Sequence, residues 1–162
     1  MESRKNLRLK GFDYNQEGIY FITICTKDRV NFLGRVAVGG GVPDAPFVLL
    51  SEYGKIVLEQ IEEMTRVYSG IDIPKYVIMP NHIHLLISLN AGGPSGTPAP
   101  TNARIPALIS VFKRFTNQKC GISLWQRSYH DHVIRDDTDY LMHWQYIDSN
   151  PAAWTEDEYF SE

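Results

Sequence analysis

The sequence predicts an α+β fold, an antiparallel sheet with helices packed on it. Three observations predict it. Apolar runs of strand length and segments of helical period follow one another in the order β, α, β, β, then α, a short strand and α. Two of the strands are separated by only three residues, a connection that antiparallel neighbours allow and parallel ones do not. The chain of 162 residues is long enough to bury one core without disulfides or structural metal.

Each element has a local reason. Gly18 to Thr26 is rich in β-branched and aromatic residues and reads as a central strand. Gly39-Gly40-Gly41-Val42-Pro43 reads as a loop. Ser51 offers an N-cap, and Ile56, Val57, Leu58, Ile61 and Met64 give a helix to about Tyr68, with Gly70 as its stop. Tyr76-Val77-Ile78 is a second strand and His82 to Leu89 a third. Pro80 and Asn81 suit the turn between them, because Pro fixes its φ and Asn tolerates left-handed backbone. Ala91 to Thr101 is a flexible loop by composition, near 90–103 within a single domain over 1–162. Ile105 to Gln118 is a second helix with Leu108, Ile109, Phe112 and Phe115 apolar. Leu124 to Ile134 is a short strand or extended stretch. Asp136 or Asp137 caps a last helix that runs to about Ser149, before Pro151.

The net charge of −3 argues against a nucleic-acid binder, but its distribution does not. Asp136 to Glu162 holds eight acidic residues and no Lys or Arg. Met1 to Lys10 and Arg104 to Arg135 are basic, with Arg4, Lys5, Arg8, Lys113, Arg114, Arg127 and Arg135 as candidate phosphate contacts. Solvated faces are the plainer reading of the same pattern. The only cysteines, Cys25 and Cys120, fit a reduced cytoplasmic chain, and Cys25 falls in an apolar run that would bury it. No signal peptide and no membrane span are expected.

The chemistry concentrates in two places. In Met79-Pro80-Asn81-His82-Ile83-His84, strand alternation puts His82 and His84 on one face and Ile83, Leu85 and Ile87 on the other. Two imidazoles on a rigid strand are placed to hold one divalent ion. On the last helix Tyr140, Trp144 and Ile147 should face the core. Asp139, His143, Tyr146 and Asn150 follow at spacings of four, three and four along one edge. Tyr146 there fits a phenol reaching a phosphate beside a metal, with Asn150 as an oxygen ligand. An isolated tyrosine on such a helix is ordinarily an interfacial one bonded to backbone; the two-histidine strand and the Asn four residues on favour the other reading.

His82-Ile83-His84 matches the His-hydrophobic-His motif of the HUH single-strand endonucleases, and Tyr146-Ile147 with Asn150 matches their single-tyrosine helix. The chain resembles the transposases of the IS200/IS605 type, and more closely their REP-associated tyrosine transposase branch. The matching stretches are Gly18-Ile19-Tyr20-Phe21-Ile22-Thr23, Met79 to His84, Phe112-Lys113, Trp125-Gln126-Arg127, Asp131 to Arg135 and Tyr146 to Pro151. The resemblance implies a ferredoxin-like antiparallel sheet flanked by helices, the HUH endonuclease fold. It implies Mg²⁺ or Mn²⁺ on His82, His84 and an oxygen of the tyrosine helix. In the insertion-sequence enzymes that oxygen belongs to a Gln; here it is Asn150, one methylene shorter, so the helix has to sit closer. It implies single-stranded DNA with hairpins as partner, Tyr146 as nucleophile, and either a monomer or a homodimer. A cytoplasmic, nucleoid-associated location follows.

Further residues carry expectations of both kinds. Trp125 and Tyr129 are base-stacking or core aromatics. His143 is a helper to Tyr146 or a packing residue. His130 and His132 form a second pair at strand spacing, able to make a separate metal site or, with the first pair, a four-histidine zinc site. Two other functions compete. A histidine-triad phosphoesterase needs a third His where Leu86 stands. A non-catalytic hairpin binder needs none of the catalytic residues that are present.

Overall fold

The computed structural model describes residues 18–38, 45–90 and 104–162. Arg4, Lys5 and Arg8, the glycine run at 39–41 and the loop expected over 91–101 lie outside the described residues. In chain order the elements are β1 (Gly18–Cys25), β2 (Gly34–Val38), β3 (Pro46–Leu50), α1 (Glu52–Val67), β4 (Ile71–Ile78), β5 (His82–Leu89), α2 (Arg104–Cys120), β6 (His130–Val133) and α3 (Asp137–Ser149). Lys27–Arg29 and Trp154–Glu156 form short 3-10 turns.

The main sheet has the order β4-β5-β1-β6 and every pairing is antiparallel. β1 and β5 are its two central strands. Tyr20, Ile22 and Ile24 of β1 and Ile83, Leu85 and Ile87 of β5 point to one face. There they pack with Val57, Ile61 and Met64 of α1 and with Ile105, Leu108, Ile109 and Phe112 of α2. Phe21, Thr23, His82 and His84 point to the other face, where α3 lies. The sheet is therefore the middle layer. Its helix-packed side supplies the hydrophobic core, and its α3 side holds the chemistry.

The expected hairpin is present. Met79 N–H donates to the His82 carbonyl (2.8 Å), closing the turn, and β5 spans the residues expected of it. Ser51 caps α1 by accepting from Gly54 N–H (3.1 Å), and Gly70 ends the region at φ 76°. Asp136 caps α3 by accepting from Asp139 N–H.

Four features differ from the sequence reading. β4 begins at Ile71, not Tyr76, and contains Pro74. It is an edge strand with a register shift between Asp72 and Lys75, a place that tolerates a missing N–H. Strands β2 and β3, on either side of residues 39–43, form a separate two-stranded sheet that the sequence pattern does not announce. On α3 only Ile147 is fully buried; Tyr140 and Trp144 are half-buried, and the Lys75 ammonium sits 4.7 Å from the Trp144 ring centre. Trp125 and Tyr129 are core residues. Trp125 packs on Phe112 and its Nε1–H donates to Thr116 Oγ1 (2.7 Å), so neither ring is presented for base stacking.

Candidate active site

The two strand histidines are buried side by side, with ring centres 4.7 Å apart. Each has one ring nitrogen committed to a neighbour. His82 Nδ1 lies 2.8 Å from Asn81 Oδ1. The Asn81 amide NH₂ is itself committed to the carbonyls of Tyr159 (2.6 Å) and Arg29 (3.2 Å). The Asn81 oxygen therefore faces His82 and can only accept, so Nδ1 carries the proton and Nε2 keeps a lone pair. His84 Nδ1 shares a hydrogen bond of 2.7 Å with Thr23 Oγ1 across the β1–β5 pair. When Nδ1–H donates to that hydroxyl, Nε2 of His84 is bare as well.

Helix α3 brings two more groups to this point. Tyr146 packs edge-on against His84 with ring centres 5.2 Å apart, and Phe21 lies 6.0 Å from it. Asn150, one turn further on, is buried; its Nδ2 donates to the Tyr146 carbonyl (3.2 Å). That leaves Oδ1 as the group it presents to its surroundings. Three buried atoms then have no hydrogen-bond partner: Nε2 of His82, Nε2 of His84 and Oδ1 of Asn150. Buried acceptors are normally satisfied, and three together in one small region are costly unless something else occupies their lone pairs. Two neutral imidazole nitrogens and an amide oxygen are a donor set that suits a first-row divalent ion. The residues thus fit a metal.

Electrostatics agree with neutral ligands. Burial lowers the His82 pKa to about 4, the Asn150 side chain opposing this in part. Burial lowers His84 well below the usual histidine value, and the neighbouring His82 and His143 add to it. Burial raises the Tyr146 phenol, with the Asn150 side chain opposing in part. As it stands, the phenol is protonated at neutral pH.

The site opens to a cleft of about 520 Å³ lined by His84, Tyr146, His143, His132, Glu158 and Tyr159 among others. The C-terminal residues cover His82. The Tyr159 ring lies 4.6 Å from it, Trp154 lies 6.1 Å away, and Asp157 Oδ2 is 3.7 Å from His82 Nε2. Asp157 is itself buried, with a carboxyl raised by desolvation. In the sequence Asp157 is only one charge in an acidic run; no period links it to a strand 75 positions earlier.

The remaining expected residues are spread more widely. His143 stands near the site but donates from Nδ1 to the Asp139 carbonyl (2.8 Å), and its ring packs on Phe21. His130 is exposed on β6, and His132 pairs with Asp139 rather than with the first histidine pair. Lys113 donates to the carbonyls of Gln126 (2.7 Å) and Ser128 (3.1 Å) and is lowered to about 8 by burial. It clasps the segment leading to β6, a structural task that a charge count does not reveal. Arg114, Arg127 and Arg135 are exposed. Lys27, Lys113 and Arg127 border a second cleft of about 380 Å³.

No protein-family model matches the chain. A Haemophilus influenzae protein named "Uncharacterized protein" is 29% identical over 97% of this chain and 93% of its own length. A second protein from that organism, named "Putative REP-associated tyrosine transposase", is 26% identical over 86% of this chain and 73% of its own length. The solved structure of a REP-associated tyrosine transposase bound to a REP hairpin superposes with a TM-score of 0.63. It covers 90% of this chain and 73% of that one at 21% identity. The chain is thus similar in sequence to a putative REP-associated tyrosine transposase and shares the fold of a solved one.

Proposed function

We propose that this chain, a relative of the REP-associated tyrosine transposases, cleaves and rejoins single-stranded DNA beside hairpins through a 5′-phosphotyrosine intermediate. The observation that carries the reading is the meeting of a phenol with three unpartnered buried ligand atoms, contributed by β5 and α3.

Tyr146 is the nucleophile. Its oxygen attacks the phosphorus of a phosphodiester in line, the P–O3′ bond breaks, and the 3′-oxygen leaves and takes up a proton. Reversal by a free 3′-hydroxyl restores the strand without ATP, because the phosphotyrosine keeps the bond energy. His82, His84 and Asn150 would hold Mg²⁺ or Mn²⁺, which would supply Lewis-acid chemistry to the phosphate. Asn81 and Thr23 orient the two imidazoles from behind. The raised phenol pKa means that Tyr146 must lose its proton as it attacks. Arg114, Arg127 and Arg135, with Arg4, Lys5 and Arg8, bind phosphates of the hairpin and its flank. Lys113 can join them only by giving up a carbonyl.

The test is a denaturing gel with labelled single-stranded hairpin DNA, Mn²⁺, and wild-type protein beside Tyr146→Phe. Wild type should form a denaturant-resistant adduct and the variant none, a loss of at least about 10³-fold when the attacking group is removed. Cleavage that survives the substitution points to a hydrolase. Tight binding of the hairpin without cleavage points to a non-catalytic binder.

A further inference from the structure

A second cluster lies on the same cleft and has no part in the mechanism above. The Nε2 of His132 on β6 is 2.8 Å from Asp139 Oδ2, and the Nδ1 of His143 on α3 is 3.1 Å from Asp139 Oδ1. The two imidazoles stack at 4.7 Å with only 18° between their planes. Ligand atoms from all three residues lie within 4.8 Å of one another. Phe21 separates this cluster from the first: its ring stacks on His84 at 5.1 Å and packs on His143 at 4.6 Å. One edge of α3 therefore serves two places, Asp139 and His143 at one and Tyr146 and Asn150 at the other.

We propose that His132, Asp139 and His143 form a second cation site, selective for a zinc-like transition-metal dication. Donor chemistry decides the class. Two imidazole nitrogens and one carboxylate oxygen are ligands that zinc and its neighbours favour over Mg²⁺. Spacing leaves room for an ion: the two imidazoles sit on different oxygens of Asp139, and donors held about 2.0–2.1 Å from a tetrahedral ion are roughly 3.3 Å apart, so each draws back from the carboxylate by a few tenths of an ångström, and His143 Nδ1 gives up its bond to the Asp139 carbonyl. Strand β6 and helix α3 fix the donors before any ion arrives. Arg135 N–H donates to Asp139 Oδ2 (3.0 Å), holding the carboxylate in place. Each imidazole binds through the nitrogen that now faces the carboxylate, its proton moving to the other ring nitrogen.

The cleft also has a use for the charge. Glu158 lines it, and no Lys or Arg does among the described residues. A DNA phosphate entering beside Tyr146 meets the Glu158 carboxylate with no Lys or Arg among the lining residues. A dication held by three protein ligands adds positive charge there and keeps a coordination position for a phosphate oxygen.

The test uses the full chain and Zn²⁺ alone, followed by calorimetric titration and by metal analysis after gel filtration. Co²⁺ replaces Zn²⁺ for a spectrum. Asp139→Asn keeps the shape and the acceptor for Arg135 N–H but removes the anionic ligand. Together with His143→Gln it should bind one equivalent fewer than wild type and lose the visible bands of a low-coordinate Co²⁺ ion. His84→Gln should keep those bands. Circular dichroism reports whether each variant is folded, and His132→Gln replaces any that is not. Unchanged stoichiometry and spectrum in the Asp139 and His143 variants would overturn the proposal, as would loss of the bands in His84→Gln. Neither outcome depends on whether Tyr146 attacks DNA.

Discussion

At the scale of single residues the account rests on which ring nitrogens are already used. His82 and His84 are each fixed through Nδ1, by Asn81 and by Thr23, and present Nε2 forward. Groups of this kind behind a ligand usually change metal affinity by about 10–100-fold when removed. Thr23→Val keeps the volume and the β-branch but deletes the hydroxyl behind His84. Mn²⁺ titration should show affinity falling by about 10–100-fold, with the fold retained. An unchanged affinity would mean that Thr23 does not orient His84. Much of this was legible in the sequence. Alternation put the two histidines on one face and the isoleucines on the other, and helix spacing aligned Tyr146 with Asn150. Asp157 and the Asn81 network were not legible, because they depend on irregular segments meeting across the sheet. Lys113 and Trp125 show the opposite error. A cation and an indole look free in a sequence, yet both have their donors used internally.

At the scale of elements, long periodic segments were read well and short ones poorly. β5, α1 and α3 keep their expected bounds within a residue or two, because α1 and α3 each start on an N-cap side chain and β5 starts at the Pro80-Asn81 turn. The β2–β3 hairpin was missed. Its strands are five residues each, no more than half-buried, and joined across a glycine run that dominates the local composition. What holds this hairpin to the domain is a close approach to the first turn of α1. Ser51 N–H donates to the Leu33 carbonyl (2.9 Å), and a Cβ on Gly54 would lie 2.1 Å from that carbonyl oxygen. Two effects of Gly54→Ala oppose each other. Ala raises helix propensity by about 1 kcal/mol relative to Gly. A backbone atom at that distance cannot yield without moving the hairpin, and overpacking of this kind costs typically about 1–3 kcal/mol. The clash should win or at best break even. Urea unfolding is expected to show a net loss of up to about 2 kcal/mol, and a variant more stable than wild type would contradict the contact.

At the scale of the whole molecule, one chain brings together the groups that the proposed reaction uses. α3 lies on its own sheet, anchored by buried Ile147, by the Lys75–Asp148 ion pair and by Lys75 over Trp144. Its Tyr146 meets His84 of the same chain. This predicts that two inactive variants do not rescue each other. Mixing Tyr146→Phe with His84→Gln should give no more adduct than either alone, whereas a helix exchanged between subunits would rebuild an intact site in part of the mixture. No helix among the described residues is long and apolar enough to cross a membrane. The acidic C-terminal run that lowers the net charge contributes Asp157 and Glu158 to the site and its cleft. A charge count cannot express that, because it carries no positions.

The central claim is that β5 and α3 aim three ligand atoms at one point beside a phenol. Crystals of the full chain soaked in Mn²⁺, measured for anomalous scattering at the manganese edge, address it directly. The account predicts a peak bonded to His82 Nε2, His84 Nε2 and Asn150 Oδ1, with Tyr146 adjacent. Clear density for those residues with no peak among them, or a peak ligated without Asn150, would contradict it.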